Sequence, residues 1–419
     1  MGRAMAVMAV GAALSAGVAL GSRIGPAGAG TPPATRDAAG RDLVAAWNRT
    51  LLGIVRTPGA QPAAVHPTRN FAIMHTAIAD AVADAGKGSA YAAAAQAGHD
   101  TLAALYPARA AELDRQLAGE LADVPDGPSE DAGVRAGRAA AGAVLADRAH
   151  DGSEVTPPPF VPSGGPGGYR PTPPAFAAPV FTHWAAVRPF ALGRGDRFRP
   201  PPYPRLGGKE YAGALGEVQA LGRDTSTERT ADQTTQARFW AAPIWNHWNE
   251  IAQDAARRHG TGLAATARMF AVLDRTLADS VIALYDGKYH HAIWRPVTAI
   301  RAAGTDGNPA TRADPDWQPL AVTPPDPSYP GAHSVVGEAG ATVLAAFFGP
   351  ADRFTVGSEA LPGVTRSFER YQDAADEAGL SRIYAGVHTR LDHTAGQVLG
   401  RRIARYELGR ALRPSRTGG

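Results

Sequence analysis

The chain has 419 residues, 44% of them apolar and 19% charged, which suits a globular protein with a substantial core and not a disordered one. A net charge of +3, without a basic block or interleaved basic and aromatic residues, argues against nucleic acid as a partner. The absence of cysteine removes disulfides, thiolate metal sites and thiol nucleophiles, and fits any redox compartment.

In chain order, Arg3 precedes an uncharged stretch from Ala4 to Ser22, and Ala27-Gly28-Ala29 then offers a small-residue cleavage site. Residues 1–29 therefore read as a signal peptide, and the mature protein as exported, extracellular or periplasmic. The stretch is rich in Gly and Ala, weak for a retained anchor, so no stable membrane span is expected in the mature chain.

Residues 30–151 read as an N-terminal helical region. Leu43, Val44, Trp47, Leu51, Ile54 and Val55 recur at three- and four-residue steps, which predicts an amphipathic helix ending before Pro58. A helix from Pro67 to Ala83 carries Phe71, His75 and Ile78 on one face, and His75 reads as a core group. Further helices are predicted over Ala92–Leu105, Ala108–Ala122 and Ser129–Arg148. Residues 152–208 turn Pro- and Gly-rich, but Tyr169, Phe176, Phe181, Trp184, Phe190, Phe198 and Tyr203 give the stretch apolar anchors. It reads as an ordered coil over the helices rather than a linker.

Residues 209–412 read as a catalytic helical bundle, with 413–419 as a flexible tail. Thr230 and Gln233 have capping-box spacing. Trp245, His247 and Trp248 fit either a cavity wall or an aromatic core. A long helix from Gly262 to Tyr285 is expected to deliver Lys288 just past its end, with Tyr285 as a candidate pocket wall. The Ala302–Pro327 loop is long enough to cover a site, and another helix is predicted from Arg366 to Ala378. The fold class is thus mainly α: helical bundles with an ordered Pro/Gly-rich coil between two helical halves.

Three clusters carry the chemistry. KYHHAIWRP sets Lys288 seven residues before Arg295; PSYPGAHS places His333 after Gly331-Ala332 and before an apolar run; SRIYAGVHTRLD supplies Arg382, His388 and Asp392. Three fixed cations, two imidazoles and a helix N-terminus suit a tetrahedral oxyanion, which needs charge neutralised, donors supplied and protons moved. His388 and Asp392, four apart, are expected on one helical face, so that the carboxylate fixes the imidazole tautomer. Gly386 permits a backbone break that lets Arg382 and His388 converge.

These clusters resemble the signature of the vanadium-dependent haloperoxidases and type 2 phosphatidic acid phosphatases. Likeness to the secreted bacterial haloperoxidase branch extends through ADQTTQARFW, WRPVTAIRAAGTDGNPATRADPDW and GVTRSF, about four fifths of the chain. The resemblance implies that Lys288, Arg295 and Arg382 hold the oxyanion, with Gly331 and Ala332 at its edge. It makes His388 the ligand of vanadium, or the nucleophile of a phosphatase, His333 the acid/base and Asp392 the group orienting His388. It departs at Gly331-Ala332, where the family usually has Ser-Gly, so a hydroxyl donor is missing. The implied activity is halide oxidation by hydrogen peroxide at a His-bound vanadate. The alternatives are an exported acid phosphatase that binds phosphate in the same site, acts on a phosphomonoester and forms a phosphohistidine, and an oxyanion-binding protein without turnover. A homodimer is one oligomeric state open to it.

Overall fold

The computed structural model describes residues 33–60 and 65–411, the side chains of 33–39 and 41 excepted. The signal-peptide expectation for 1–29 and the tail from 413 onwards lie outside these residues. The first region holds helices α1 (Pro33–Arg56), α2 (His66–Asp84), α3 (Ala90–Leu105), α4 (Ala110–Leu121) and α5 (Pro128–Arg148). After a coil broken only by short 3-10 turns come α6 (Lys209–Leu221), α7 (Ala231–Phe239), α8 (Ile244–Arg258), α9 (Leu263–His291) and α10 (Pro296–Arg301). The chain closes with α11 (Ala332–Phe348), α12 (Tyr371–Tyr384) and α13 (Arg390–Ala411). Between α11 and α12, strands β1 (Phe354–Gly357) and β2 (Thr365–Phe368) pair antiparallel, Phe354 opposite Phe368. The fold is mainly α, as composition and periodicity predict.

The central element is α9. It packs on α1 and α2 on one side and on α11 and α13 on the other. Its burial is nearly all round, with Met269, Phe270, Val272, Leu273, Leu277, Val281 and Ile282 all closed to solvent. A helix apolar around its whole circumference is stable only inside a core, and one hydrophobic cluster accordingly runs from Leu43 in α1 to Leu408 in α13. α11 and α13 approach closely because Gly396 and Gly400 of α13 lie on the start of α11; a Cβ at Gly396 would sit 2.8 Å from the Gly331 carbonyl oxygen. That approach lets the Gly331 amide donate to the Asp392 carbonyl at 2.9 Å, which docks the second motif on the third.

The Pro/Gly-rich coil is ordered and braces the site from outside. Tyr169 donates its amide to the Ala292 carbonyl (2.7 Å), Trp294 to Gly167 (2.9 Å) and Val180 to Pro325 (3.0 Å). Tyr169 and Trp184 are buried anchors, whereas Phe176, also expected to be one, is 64% exposed at a positive φ.

Two helix boundaries differ from expectation. α9 continues to His291, so Lys288 lies in its last turn rather than beyond it; Gly287 does not interrupt a helix held by packing on both sides. It stops where Ala292 takes a left-handed conformation (φ 48°) and returns its amide to the Lys288 carbonyl at 2.8 Å. Arg366 does not open a helix but sits in β2, because Thr, Ser and Phe there form a strand against β1, and α12 starts at Tyr371.

Candidate active site

The three motifs converge on one buried cluster. Lys288 and Arg295 are each 1% exposed. The Lys288 ammonium donates to Asp326 Oδ1 (3.1 Å) and to the carbonyls of Pro327 and Ser328. Arg295, which precedes α10, donates Nε to the Asp326 carbonyl (2.7 Å), Nη1 to the Val387 carbonyl (2.8 Å) and Nη2 to Asp326 Oδ1. Tyr285, one turn before Lys288 on α9, donates its hydroxyl to Asp326 Oδ2 at 3.1 Å. Burial pulls the Lys288 ammonium down to about 8 against the opposing pull of Asp326. Burial would raise the Asp326 carboxyl, but Lys288 and Arg295 outweigh it and hold it near 2.

Arg382 stands differently. It is buried at the end of α12, and its Nη1 donates to the carbonyls of Ala237 (3.3 Å) and Trp240 (3.0 Å) where α7 ends. Among the described residues no carboxylate forms an ion pair with it. Burial, then the nearby Arg295, brings its guanidinium down to about 10. The Trp240 carbonyl is also 2.7 Å from His333 Nε2, so this nitrogen carries the proton and Nδ1 the lone pair. Burial and Arg382 push His333 well below the usual imidazole range, which keeps it neutral.

His388 lies in the turn before α13. The expectation that His388 and Asp392 share a helical face is corrected: α13 begins at Arg390, and Gly386 turns the chain at φ 79°. The two meet instead through a cap. Thr389 donates its amide to Asp392 Oδ2 (2.7 Å), and the Asp392 amide donates to Thr389 Oγ1 (3.3 Å), the reciprocal pattern of a capping box. The carboxylate held this way lies 3.3 Å from His388 Nδ1 and also accepts the Ser328 hydroxyl at 2.7 Å. On the far side of the ring, Arg295 Nη1 is 3.1 Å from His388 Nε2. A guanidinium can only donate, so Nε2 presents its lone pair to the cation cluster while Nδ1 carries the proton towards Asp392. Burial first, then Arg295, brings His388 down to about 3, so the ring is neutral at ordinary pH. Burial alone would raise Asp392; His388 and the Thr389 amide hold it below the ordinary range.

Gly331 caps α11 without a side-chain bond, at φ −79°, a conformation open to any residue. Ser334 does not replace the missing hydroxyl, because its Oγ is engaged 2.8 Å from His393 Nδ1. Asp326, Ser328 and the Trp240 carbonyl are site groups that sequence reasoning missed.

The remaining candidates are structural. His75 is fully buried, 2.9 Å from Asn48 Nδ2 and stacked on Phe270. His247 packs on Phe239 and Trp240 in the aromatic core. His291 bonds the Pro200 carbonyl (3.0 Å), and among the described residues no three His, Asp or Glu side chains gather as a metal site. A surface cleft of about 550 Å³ is walled by Pro200, Pro201, Tyr329, Arg390 and Val398, and Lys288, Arg295 and Arg382 do not line it.

The family model described as the VCPO second helical-bundle domain matches residues 268–416, the segment holding all three motifs. A bacterial vanadium-dependent iodoperoxidase has the same fold at a TM-score of 0.73, with 26% identity over 90% of this chain and 95% of that one. The chain is thus similar to the vanadium-dependent haloperoxidases, in its overall fold and in the segment that carries the three motifs. Vanadium chloroperoxidase of Curvularia inaequalis is 26% identical across 44% of this chain and 39% of that protein, so the likeness spans about two fifths of the relative's length. A bacterial vanadium-dependent chloroperoxidase in its holo form shares this haloperoxidase fold at a TM-score of 0.66, with 15% identity over 85% of this chain and 94% of that one.

Proposed function

We propose that the protein is a vanadate-dependent haloperoxidase, oxidising halide with hydrogen peroxide. The observation that carries the reading is the surplus of buried positive charge: Arg295 stands at the neutral His388 lone pair and shares Asp326 with Lys288, while Arg382, near Arg295, has no carboxylate counter-ion among the described residues. Burying a guanidinium without an anion is costly, and a tetrahedral oxyanion removes that cost. The donor set fits vanadate, a hard oxyanion: nitrogen donors only, His388 Nε2 as the ligand, and a deprotonated Asp392 fixing its tautomer. When bound, vanadate supplies a Lewis-acidic centre that activates peroxide without changing its own oxidation state.

The protein's residues then have distinct tasks. Lys288, Arg295 and Arg382 spread the negative charge and strengthen their hold on it as charge builds up in the transition state. His333, neutral and anchored to the Trp240 carbonyl, accepts a proton from entering peroxide at Nδ1 and returns it to the departing oxygen as water forms. Overall one halide, one peroxide and one proton give a hypohalous acid and one water. The test is to assay purified protein with iodide, bromide or chloride plus peroxide, with and without added orthovanadate, beside a phosphomonoester. Vanadate-dependent halide oxidation is expected. Phosphomonoester hydrolysis with no halide oxidation at any vanadate concentration would overturn the proposal in favour of a phosphatase.

A further inference from the structure

The carboxylate of Asp326 occupies an unexpected position for a site built to hold an anion. It is 6% exposed, and both oxygens are engaged, Oδ1 by Lys288 and Arg295 and Oδ2 by the Tyr285 hydroxyl. It has little freedom to leave. The local sequence is Pro324-Pro325-Asp326-Pro327. Proline fixes its own φ and restricts the residue before it, so the backbone carrying Asp326 is stiff. Its carbonyl accepts from Arg295 Nε, and the Val180 amide holds the Pro325 carbonyl from the overlying coil. Asp326 is thus a fixed charge of the site, not a mobile arm that swings aside.

We propose that Asp326 sets the charge selectivity of the oxyanion site, weakening doubly charged tetrahedral oxyanions more than singly charged ones. The inference rests on the oxyanion reading of the cation cluster. One permanent carboxylate offsets one of three cations, so an incoming ion meets the attraction of Arg382 undiminished and that of Lys288 and Arg295 partly spent. A like charge in direct contact with the same cations repels a second anion in proportion to that anion's charge, and the repulsion is strong where water is excluded.

The test is calorimetric titration of the full chain at pH 7 with two probes, tungstate, doubly charged, and orthovanadate, mostly singly charged. Asp326→Asn removes the charge and keeps the shape. It should bind tungstate at least about ten-fold tighter than wild type, on the scale of a contact between like charges, with a smaller gain for orthovanadate. Asp326→Glu, which keeps the charge, should retain the wild-type preference. Where Asp326→Asn does not fold, Asp326→Ser reads the same loss of charge. Equal gains for both ions, or none, would overturn the proposal while leaving the oxyanion reading intact, provided that Arg382→Met weakens both ions. If neither wild type nor the Asp326 variants bind either ion, the oxyanion reading falls as well.

Discussion

Two of the buried polar clusters on α9 differ in one respect that separates structure from function. Near its N-terminal half, Asp274 accepts from Asn249 Nδ2 (3.0 Å), Asn48 donates to Asn249 and contacts His75, and His75 stacks on Phe270. Burial there pushes His75 down to about 3 and Asp274 up to about 8, so both are neutral, with amides at His75 Nε2 and Asp274 Oδ1. Near its C-terminal end, Lys288 and Arg295 share Asp326 while the neighbouring Arg382 bonds only carbonyls, which leaves more positive charge than the described residues balance. Both clusters contain a buried histidine and a carboxylate. Only the second keeps unbalanced charge, and it is the imbalance, not the presence of histidine, that marks a place for a ligand.

The largest effect should come from exchanging the two histidines' fates. On the proposed reading, His388→Ala should reduce halide oxidation by at least about a thousand-fold, because it removes the nitrogen assigned there to bond the reacting centre, while shifting the melting temperature little. His75→Ala should leave kcat nearly unchanged and destabilise the fold by about 2 to 4 kcal/mol through a cavity and an orphaned Asn48 amide. Steady-state rates and thermal melts on both variants read this, and a His75→Ala protein that loses turnover at full stability would erase the contrast.

Arg382→Met comes next. Losing a charged donor to a buried anion should weaken orthovanadate binding by about ten- to a hundred-fold. Without any anion the same variant should melt no lower than wild type, because the guanidinium it replaces is buried without a carboxylate among the described residues. A large destabilisation of the ligand-free variant would mean that the bonds to Ala237 and Trp240 make Arg382 a structural cation.

The pH dependence sharpens the comparison further. The folded-state value of Lys288, about 8, lies below its ordinary 10.5, so burying the charged form is unfavourable below pH 8. That penalty fades as pH rises from about 8 towards 10.5, and the ligand-free fold should gain stability across that window. Affinity for sulfate, whose own charge is constant there, should fall over the same window as the ammonium is lost. Sulfate titrations from pH 7 to 10 check the sign, and affinity that is flat or rising would remove Lys288 from the binding set.

The smallest effect is expected at Gly331. Serine fits its backbone, although a Cβ there would stand 3.3 Å from the Asp392 carbonyl oxygen and the neighbour must yield slightly. Gly331→Ser should tighten orthovanadate about five-fold by adding one hydroxyl donor, and raise stability by a few tenths of a kcal/mol as a helix cap. Unchanged affinity with higher stability would show that the hydroxyl caps α11 and does not reach the anion.

Much of this was legible in the sequence. Helical periodicity marked most of the helices, the Thr230 and Gln233 capping box forms as its spacing predicts, and Lys288, Arg295, His333, Arg382, His388 and Asp392 do converge. What escaped reading had physical reasons. Asp326 sits in a run of prolines that looks like a solvated turn, and only the tertiary fold brings it to Lys288. The Trp240 carbonyl has no side-chain signature at all. The β1–β2 hairpin is too short for alternation to register. The start of α13, by contrast, was readable: Thr389-x-x-Asp392 is a cap signal, overlooked because the four-residue spacing of His388 and Asp392 suggested a continuous helix.

The most direct test of the central claim is an orthovanadate titration of wild-type protein with phosphate as competitor, followed by calorimetry. Surplus buried charge around the His388 lone pair predicts one ion bound per chain, displaced by phosphate, with binding abolished in His388→Ala and weakened in Arg382→Met. Absence of saturable binding to wild-type protein, or binding that neither substitution alters, would contradict it.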